Sequence, residues 1–428
     1  MKDLGCELYE FAESLWPLNR SLTGEGVRET LLTIKAILPN LKIIEVPTGT
    51  KVFDWNVPKE WVISDAYIIT PEGEKICHFG TNNLHVVGYS TPYKGKLSLE
   101  ELQDHLHSLP DQPDAIPYVT SYYAPRWGFC ITEEKRRTLK TGEYEVFIDS
   151  QLIDGNLNYG ELIITGDTKE EIFLSTYICH PSMANNELSG PTVTTFLAKW
   201  LTELPNRKYT YRIIFIPETI GSLTYLSKNL EILKDRVKAG FNITCIGDER
   251  SYSFVPSRQC NSLSDKVARH VLKWVDPEFK EYSWRDRGSD ERQYCSPGID
   301  LPVASIMRTK YGAYPEYHTS LDKLGTVVTG TGLLGGFNVI KSAIEALEKN
   351  LTPRATVLGE PNMGKRGLYP TLSQKGIYQD VRLMMDVLTY SDGTQSMLEI
   401  AEKCDQPISQ IQEICKTLFD FQLISFSD

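Results

Sequence analysis

The sequence predicts an α/β fold built on a doubly wound, mostly parallel sheet, with an inserted β-rich subdomain and a small C-terminal domain. From Gly160 onward, short apolar runs typical of buried strands alternate with longer runs of helical periodicity. Residues 47–145 contain short alternating segments that are separated by Gly and Pro and are rich in Tyr and Trp, which indicates a β-rich insertion. After residue 352 the pattern changes to three short helices and a strand. We therefore divide the chain into segments 1–46, 47–145, 146–352 and 353–428.

The first segment is expected to form helices that pack on the core, and the second a β-rich lid or wall. Apolar residues recur at helical spacing over Leu4–Trp16 and Val27–Leu38, and a short strand is expected at Leu41–Val46. The strands of the insertion are expected at Trp61–Thr70, Leu84–Gly88, Ala115–Val119 and Glu143–Ile148.

The third segment carries the alternation of strands and helices that predicts the parallel sheet. Its strands are expected at Glu161–Thr165, Ile172–Ile178, Tyr211–Ile216, Gly240–Ile246 and Val303–Met307. Its helices are expected at Thr192–Glu203, Ser222–Asn229, Ser262–Val275 and Gly332–Asn350.

The fourth segment begins with Pro353–Lys375, a stretch rich in Pro, Gly and basic residues that we interpret as a linker. Helices at Asp380–Leu388, Met397–Lys403 and Ile408–Phe419, followed by a strand at Leu423–Phe426, resemble a winged helix. Residues 354–428 contain seven Lys and Arg against ten Asp and Glu. Because DNA-binding domains normally present a basic face, we expect no nucleic-acid partner here, and we expect protein contacts or a homo-oligomer instead.

Composition excludes several classes of function. A net charge of −11 argues against a nucleic acid or an anionic membrane as the main partner. No stretch approaches 18 uncharged apolar residues, and the first residues lack the apolar core of a signal peptide. Nine cysteines are scattered singly, which favours free thiols in a reducing compartment. We therefore expect a cytoplasmic protein without a membrane span.

Four segments of the α/β region carry polar residues where a strand should end. Ligands bind at the C-terminal edge of open α/β sheets, so four such segments are expected to converge on one crevice. They are Ile178–Glu187 with His180, Asn186 and Glu187; Ile213–Ser222 with Glu218; Cys245–Arg250 with Asp248; and Tyr314–Asp322 with Tyr317 and His318.

The order of these segments resembles the zinc aminopeptidase superfamily typified by bacterial secreted leucine aminopeptidases, which includes the glutaminyl cyclases. That superfamily's pattern is His-x-Asp, Asp-x-x-Ser-Gly, Glu-Glu-x-Gly-x-x-Gly-Ser, a strand-ending Asp and Tyr-His-x-x-x-Asp, and residues 160–350 follow it in order. The whole chain is similar to an uncharacterised bacterial aminopeptidase-like family with a C-terminal winged helix. The residues that carry this likeness are Leu15-Trp-Pro-Leu-Asn-Arg-Ser-Leu-Thr-Gly24 and Cys179-His-Pro-Ser182.

The resemblance implies roles for individual residues. His180 and Asp248 would bind a first zinc ion, with His318 at the second metal position and Asn186 at the bridging position. Glu218 falls at the position of the general base that takes a proton from metal-bound water. Tyr317 would donate a hydrogen bond to the developing oxyanion. The residues expected to line the substrate pocket are Glu187, Arg250, Asp290 and Glu291.

The chain also departs from the superfamily pattern. Asn186 replaces the bridging Asp, Thr219 replaces the second Glu, and Ser182 replaces the Asp that supports the first His. A full two-zinc site is therefore not expected. Three arrangements stay open: one zinc ion held by His180, Asp248 and His318; recruitment of Glu218 or Glu187 as a ligand; or a metal-free site kept for binding.

We therefore expect a hydrolase that cleaves an amide bond in a small peptide or amide substrate, with one zinc ion per chain and Glu218 as base. One alternative is hydrolysis or acyl transfer on a non-peptide amide, such as the N-acyl group of an amino sugar that the aromatic-rich insertion would stack against. The other alternative is a binding or scaffold protein that has lost catalysis. No P-loop, Gly-x-Gly-x-x-Gly or Gly-x-Ser-x-Gly motif occurs.

Overall fold

The computed structural model describes residues 3–368 and 378–427, which fall into two compact units. The first unit contains Met1–Asp265 and Glu278–Asn338, and the second contains Lys266–Pro277 and Val339–Asp428. Residues 369–375 of the expected linker lie outside the described part of the chain.

The helices and strands alternate along the chain as follows. The N-terminal part contains α1 (Leu4–Leu15), α2 (Glu25–Ile37), β1 (Lys42–Pro47), β2 (Lys51–Val52), β3 (Trp55–Asn56), β4 (Glu60–Ile69), β5 (Lys75–Ile76), β6 (Tyr93–Ser98), α3 (Leu99–Gln103), β7 (Leu106–His107), β8 (Phe129–Cys130), α4 (Glu133–Arg137) and β9 (Glu143–Ile153). The central part contains β10 (Asn156–Ile164), β11 (Glu171–Tyr177), α5 (Ser189–Glu203), β12 (Thr210–Ile216), α6 (Ile220–Arg236), β13 (Val237–Asn242), β14 (Ser253–Val255), α7 (Leu263–Val275), β15 (Lys280–Glu281), α8 (Glu291–Tyr294), β16 (Val303–Met307) and α9 (Gly330–Glu348). The C-terminal part contains β17 (Thr352–Ala355), α10 (Tyr378–Tyr390), α11 (Met397–Cys404), α12 (Ile408–Asp420) and β18 (Ile424–Ser427).

The first unit is built on an eight-stranded sheet in the order β1-β10-β12-β11-β13-β16-β14-β15. Its centre is parallel, because β11 pairs in parallel with both β12 and β13, and β13 pairs in parallel with β16. Every residue of β11 and β12 is buried, as expected for strands covered by helices on both faces. The predicted α/β fold with a mostly parallel sheet is confirmed.

The strands and helices predicted for the core are all present, with two clear differences: α6 continues to Arg236 rather than ending at Asn229, and β13 ends earlier than predicted. This strand ends at Asn242 rather than Ile246. Cys245 adopts a left-handed backbone conformation with φ 47°, which turns the chain out of the sheet. The turn brings Thr244 to the edge where the polar segments meet.

The insertion folds around a separate antiparallel sheet in the order β5-β4-β9-β6. The predicted strand at Leu84–Gly88 is wrong, because the Asn82 side chain caps the backbone N–H of Leu84 and starts a 3-10 turn at Asn83–His85. The predicted strand at Ala115–Val119 is also wrong, since this stretch makes only isolated bridges such as Pro117 to Thr319.

The second unit contains α10, α11, α12 and the antiparallel pair of β17 and β18. It also contains parts of two longer helices, α7 and α9. Within this unit, the buried His270 ring contacts Glu402 through Nδ1 and accepts the Ile408 backbone N–H at 2.9 Å through Nε2. Lys273 donates to Asp405 at 2.6 Å. Among the residues described, no helix has the length and apolar character needed to cross a membrane.

Candidate active site

The polar segments predicted from the sequence meet at the C-terminal edge of the parallel strands. His180 follows β11 and Glu218 follows β12, each within three residues of the strand's end, and Thr244, which was not among the predicted residues, follows β13 in the same way. Because these strands are parallel neighbours, their ends lie side by side at one edge of the sheet. His318 reaches the same place from the connection between β16 and α9, with its ring centroid 5.8 Å from that of His180.

His180 is held by a buried chain of charged groups. Its Nδ1 lies 3.0 Å from Glu187 Oε2, and Arg20 Nε donates to Glu187 Oε1 at 3.0 Å. Its Nε2 lies 3.7 Å from Glu218 Oε2. Burial opposes a charge on the ring, but the hydrogen bond to Glu187 and the charges of Glu187 and Glu218 outweigh it, so the pKa of His180 is raised. The arrangement favours an imidazolium directed at Glu218.

The loop between β11 and α5 is fixed by Asp322. This carboxylate accepts the backbone N–H groups of Asn185 and Asn186 at 2.8 and 2.9 Å and the Tyr314 hydroxyl at 3.0 Å. Asn186 in turn accepts the Tyr177 hydroxyl through Oδ1 at 3.0 Å, while its Nδ2 is buried without a hydrogen-bond partner among the described residues. The loop therefore presents an amide nitrogen, a hydrogen-bond donor, where the superfamily pattern has a carboxylate.

The buried carboxyl group of Asp290 lies close enough to Glu218 for the two charges to interact. Asp290 Oδ1 accepts the Thr219 backbone N–H and the Ser222 hydroxyl, both at 2.8 Å, so it caps the first turn of α6. Burial, together with the charge of Glu218, raises the pKa of Asp290 to about 7. Burial also raises the pKa of Glu218, although the charges of His180 and Arg292 act against it. The Glu218 side chain keeps 22% of its surface exposed, which leaves it open to the crevice.

Aromatic rings and an uncharged histidine line the rest of the crevice. The Tyr317 ring stacks on His318 at 3.9 Å, and the Tyr118 ring lies 5.4 Å from His180 and 5.2 Å from His318. Burial lowers the pKa of His318 to about 3, with the charge of His180 acting in the same direction. His318 Nε2 has no hydrogen-bond partner among the described residues. The ring is therefore a neutral imidazole with a free nitrogen.

Two residues of the site have strained backbones. Thr219 has φ 63° and His318 has φ 56°, conformations that cost a non-glycine residue on the order of 1–3 kcal/mol. For a β-branched residue such as Thr219 this conformation is rare. Strain of this kind concentrates at functional sites, where the surrounding structure enforces it.

The structure brings together five of the predicted site residues and gives others internal partners. His180, Asn186, Glu218, Tyr317 and His318 surround one crevice. Asp248 accepts hydrogen bonds from Asn185 Nδ2, Arg250 N, Thr309 N and Thr309 Oγ1. Glu187 is bonded to Arg20 and His180, and Arg250 pairs with Glu316. Glu291 accepts hydrogen bonds from Tyr311, Gly288, Ser289 and Asn242. These contacts favour structural roles for Asp248, Glu187 and Glu291.

Several residues of the site were not identified from the sequence. Arg20 comes from the turn between α1 and α2, and Tyr118 and Tyr122 come from the irregular part of the insertion. Arg292 donates through Nη2 to the Thr219 hydroxyl at 2.7 Å. Arg20 lies within the Leu15–Gly24 motif and Arg292 closes the segment Arg287–Arg292 that contains Asp290 and Glu291, and these were the local signals that pointed to them.

Asp290 should make stability depend on pH. An unfolded Asp ionises near pH 3.8 whereas Asp290 ionises near 7, so between these values the folded state holds a proton that the unfolded state has lost. The group's contribution to the free energy of unfolding therefore falls as pH rises through this window. Asp290→Asn keeps the acceptor oxygen and removes the ionisation. By calorimetry we expect the variant to be more stable than the parent by ~2–4 kcal/mol at about pH 8, with no difference at about pH 4. A difference independent of pH would contradict this assignment.

Comparison with known proteins places the chain in a family. A model described as a domain of unknown function (DUF4910) matches residues 9–350, and a winged helix-turn-helix model matches residues 351–426. The chain belongs to the DUF4910 family. The second match confirms the winged helix predicted from the sequence.

Relatives of this DUF4910 chain share its whole length. A Clostridium acetobutylicum protein provisionally named as a polysaccharide biosynthesis protein with an aminopeptidase-like domain is 44% identical over 428 residues, which cover 99% of this chain and 96% of the relative. The crystal structure of a provisionally named Clostridium acetobutylicum peptidase has a TM-score of 0.93 at 43% identity, with 99% and 96% of the two chains covered. A Bacillus subtilis zinc aminopeptidase has a TM-score of 0.60 at 12% identity and covers 81% of this chain and 96% of its own. The resemblance to zinc aminopeptidases is confirmed at the level of fold.

The donor groups of this DUF4910 site do not fit the zinc site implied by the resemblance. Catalytic zinc takes three protein ligands and a water molecule. The two imidazoles are suitable donors, but Asn186 Oδ1 is bonded to Tyr177, and both oxygens of Asp248 accept hydrogen bonds. Across residues 3–368 and 378–427, no three His, Cys, Asp or Glu side chains are grouped so that they could hold a metal ion. No catalytic step is therefore assigned to a metal.

Proposed function

We propose that this protein hydrolyses an amide bond in a substrate bound at the C-terminal edge of the central strands. The observation that carries this proposal is the position of Glu218. It is a carboxyl group that opens into the crevice of an aminopeptidase-like fold and lies 3.7 Å from a histidine held by its own carboxylate partner. A carboxylate placed this way can exchange protons with a water molecule and a leaving amine.

The chemistry follows from the groups that face the crevice. Glu218 takes a proton from water as the water oxygen attacks the amide carbon. The proton passes to the amide nitrogen when the carbon–nitrogen bond breaks, which regenerates the Glu218 carboxylate. The imidazolium of His180 keeps Glu218 ionised by its charge, and the Tyr317 hydroxyl is the candidate donor to the oxyanion.

A non-peptide amide, such as the N-acyl group of an amino sugar, is the second candidate substrate. An aminopeptidase needs a free carboxylate to bind the substrate's ammonium group. Glu187 and Glu291 are occupied by internal hydrogen bonds, and Glu316 forms an ion pair with Arg250. Asp290 accepts two hydrogen bonds through Oδ1, and burial raises its pKa to about 7, which weakens it as a partner for an ammonium group. The name of the Clostridium acetobutylicum relative, which refers to polysaccharide biosynthesis, points to the same class of substrate.

For the second unit we propose contacts with protein, including another copy of the chain, rather than with nucleic acid. The excess of acidic residues over residues 354–428 supports this proposal.

The substrate class can be tested with the full-length protein and two panels of compounds. Aminoacyl arylamides carry a free amine, whereas N-acetylated amino sugars carry an uncharged amide. We expect release of acetate from the second panel, with Glu218→Gln as the inactive control. Failure of the wild-type protein to cleave either panel would refute the proposal of hydrolysis.

The metal content of the same preparation tests whether zinc takes part. Zinc is the metal suggested by the fold neighbours, but the donor set leads us to expect less than about 0.1 zinc ion per chain and turnover that survives a chelator. About one zinc ion per chain, lost in both His180→Ala and His318→Ala, would overturn this expectation and support the one-zinc arrangement.

A further inference from the structure

A groove of about 300 Å³ lies on the insertion and is not part of the crevice that holds Glu218. Two of its lining residues are aromatic and adjacent in sequence, Tyr122 and Tyr123. The Tyr123 ring is 57% exposed and packs edge-on against Trp55, whose side chain is 37% exposed, with the ring centroids 5.3 Å apart. Large aromatic surface is thus left open to solvent in a concave site, as is typical of a ligand pocket.

The groups at the rim of the groove suit a ligand that is apolar on its face and polar at its edge. Tyr123 offers aromatic ring surface, and neither its hydroxyl nor the Asn56 carboxamide has a hydrogen-bond partner among the described residues. The Lys59 ammonium lies 3.9 Å from Asp154 and its side chain is 56% exposed. A sugar ring has this combination, because its C–H groups pack on an aromatic face while its hydroxyls reach amide and ammonium groups.

The backbone of the groove is poorly suited to binding a peptide strand. Strand addition needs free backbone N–H and C=O groups along an edge. Val57 donates to Thr50 and accepts from Gly49, so both of its groups are used. Pro58 and Pro125 have no N–H to offer.

The groove is connected to the crevice through a pair of tyrosines. Tyr122 lines the groove, and its hydroxyl lies 2.6 Å from that of Tyr118. Tyr118 is the ring that packs against His180 and His318. A ligand in the groove is therefore separated from the crevice by two contiguous side chains.

We propose that this groove binds a neutral sugar ring of a glycan substrate whose N-acyl amino sugar occupies the crevice. The proposal rests on the proposed amide hydrolysis and specifies its substrate as an oligosaccharide. Tyr123 provides the stacking face, and Asn56 and Lys59 provide hydrogen bonds to hydroxyl groups.

The test is the binding of chitotriose, a trimer of N-acetylglucosamine, to the full-length protein by isothermal titration calorimetry. We expect saturable binding that is weakened about tenfold or more in Tyr123→Ala and retained in Tyr123→Phe, which keeps the ring. Trp274→Ala is the matched control, since this tryptophan is 44% exposed and belongs to the second unit. Its affinity for chitotriose should equal that of the wild-type protein.

Absence of saturable binding by the wild-type protein, or equal affinity of Tyr123→Ala, would overturn the proposal. Tighter binding of trialanine than of chitotriose, with the same dependence on Tyr123, would assign the groove to peptides and also overturn the proposal.

The outcome for hydrolysis is separate from the outcome for sugar binding. Sugar binding that depends on Tyr123 but is not followed by release of acetate would refute the hydrolase proposal alone. Hydrolysis that depends on Glu218 but is unaffected by Tyr123→Ala would refute the groove alone.

Discussion

Glu218→Gln is expected to lower kcat/KM for amide hydrolysis by about 10²–10⁴-fold, the contribution typical of a positioned general base. Glutamine has nearly the same shape but cannot take the proton of the attacking water. Because burial raises the pKa of Glu218, activity of the wild-type protein should fall as pH drops through a value above that of an ordinary Glu. The residual activity of Glu218→Gln should not show this fall at low pH, because glutamine does not titrate.

The matched control for this experiment is Asp286→Asn. Asp286 is an exposed carboxylate in the loop before Asp290, where it accepts the backbone N–H of Ser283 at 3.0 Å. Its replacement should leave kcat/KM within about threefold, since surface changes away from a site have small effects. Turnover of Glu218→Gln equal to that of Asp286→Asn would show that another group acts as the base.

The central sheet could be predicted from the sequence because its strands are buried along their whole length. Each residue of β11 and β12 is buried, and each strand carries an apolar run, Ile172–Leu174 or Ile213–Ile216, that the sequence pattern identifies. The topology then places the polar residues that follow these strands at one edge. This is why His180, Glu218 and His318 were assigned to one crevice without knowledge of the structure.

Side-chain partners in the loops could not be predicted in the same way. The resemblance to zinc aminopeptidases implied a metal-binding role for Asp248, yet its oxygens accept backbone and side-chain groups of Arg250, Thr309 and Asn185. Between the end of β13 and Asp248, Cys245 adopts a left-handed backbone conformation with φ 47°. Apolar periodicity contains no information about such a conformation.

The second unit shows a similar limit. Its segments 266–277 and 339–352 belong by sequence pattern to core helices α7 and α9. Their place in the unit depends on tertiary contacts such as that of His270 with Glu402 and with the backbone of Ile408. Contacts across more than 100 residues have no local sequence signal.

Arg20→Met is expected to lower the free energy of unfolding by about 3–5 kcal/mol, the cost typical of removing one partner of a buried ion pair. Arg20 is 1% exposed and donates to Glu187, to the His180 carbonyl at 3.0 Å and to the Leu15 carbonyl at 2.7 Å. Methionine fills much of the volume but leaves these acceptors unsatisfied. Urea unfolding followed by tryptophan fluorescence measures the change.

Arg28→Met is the matched control, because Arg28 likewise pairs with carboxylates, those of Glu25 and Glu60, but its side chain is 30% exposed. Its loss should cost no more than about 1 kcal/mol, as expected for a pair near the surface. Adding Glu187→Gln to Arg20→Met removes the carboxylate that has lost its arginine partner and keeps only His180 beside it, so the double variant should recover part of the lost stability. Equal losses of unfolding free energy in Arg20→Met and Arg28→Met, or no recovery of it in the double variant, would contradict the prediction that the buried Arg20–Glu187 charges stabilise the site around His180.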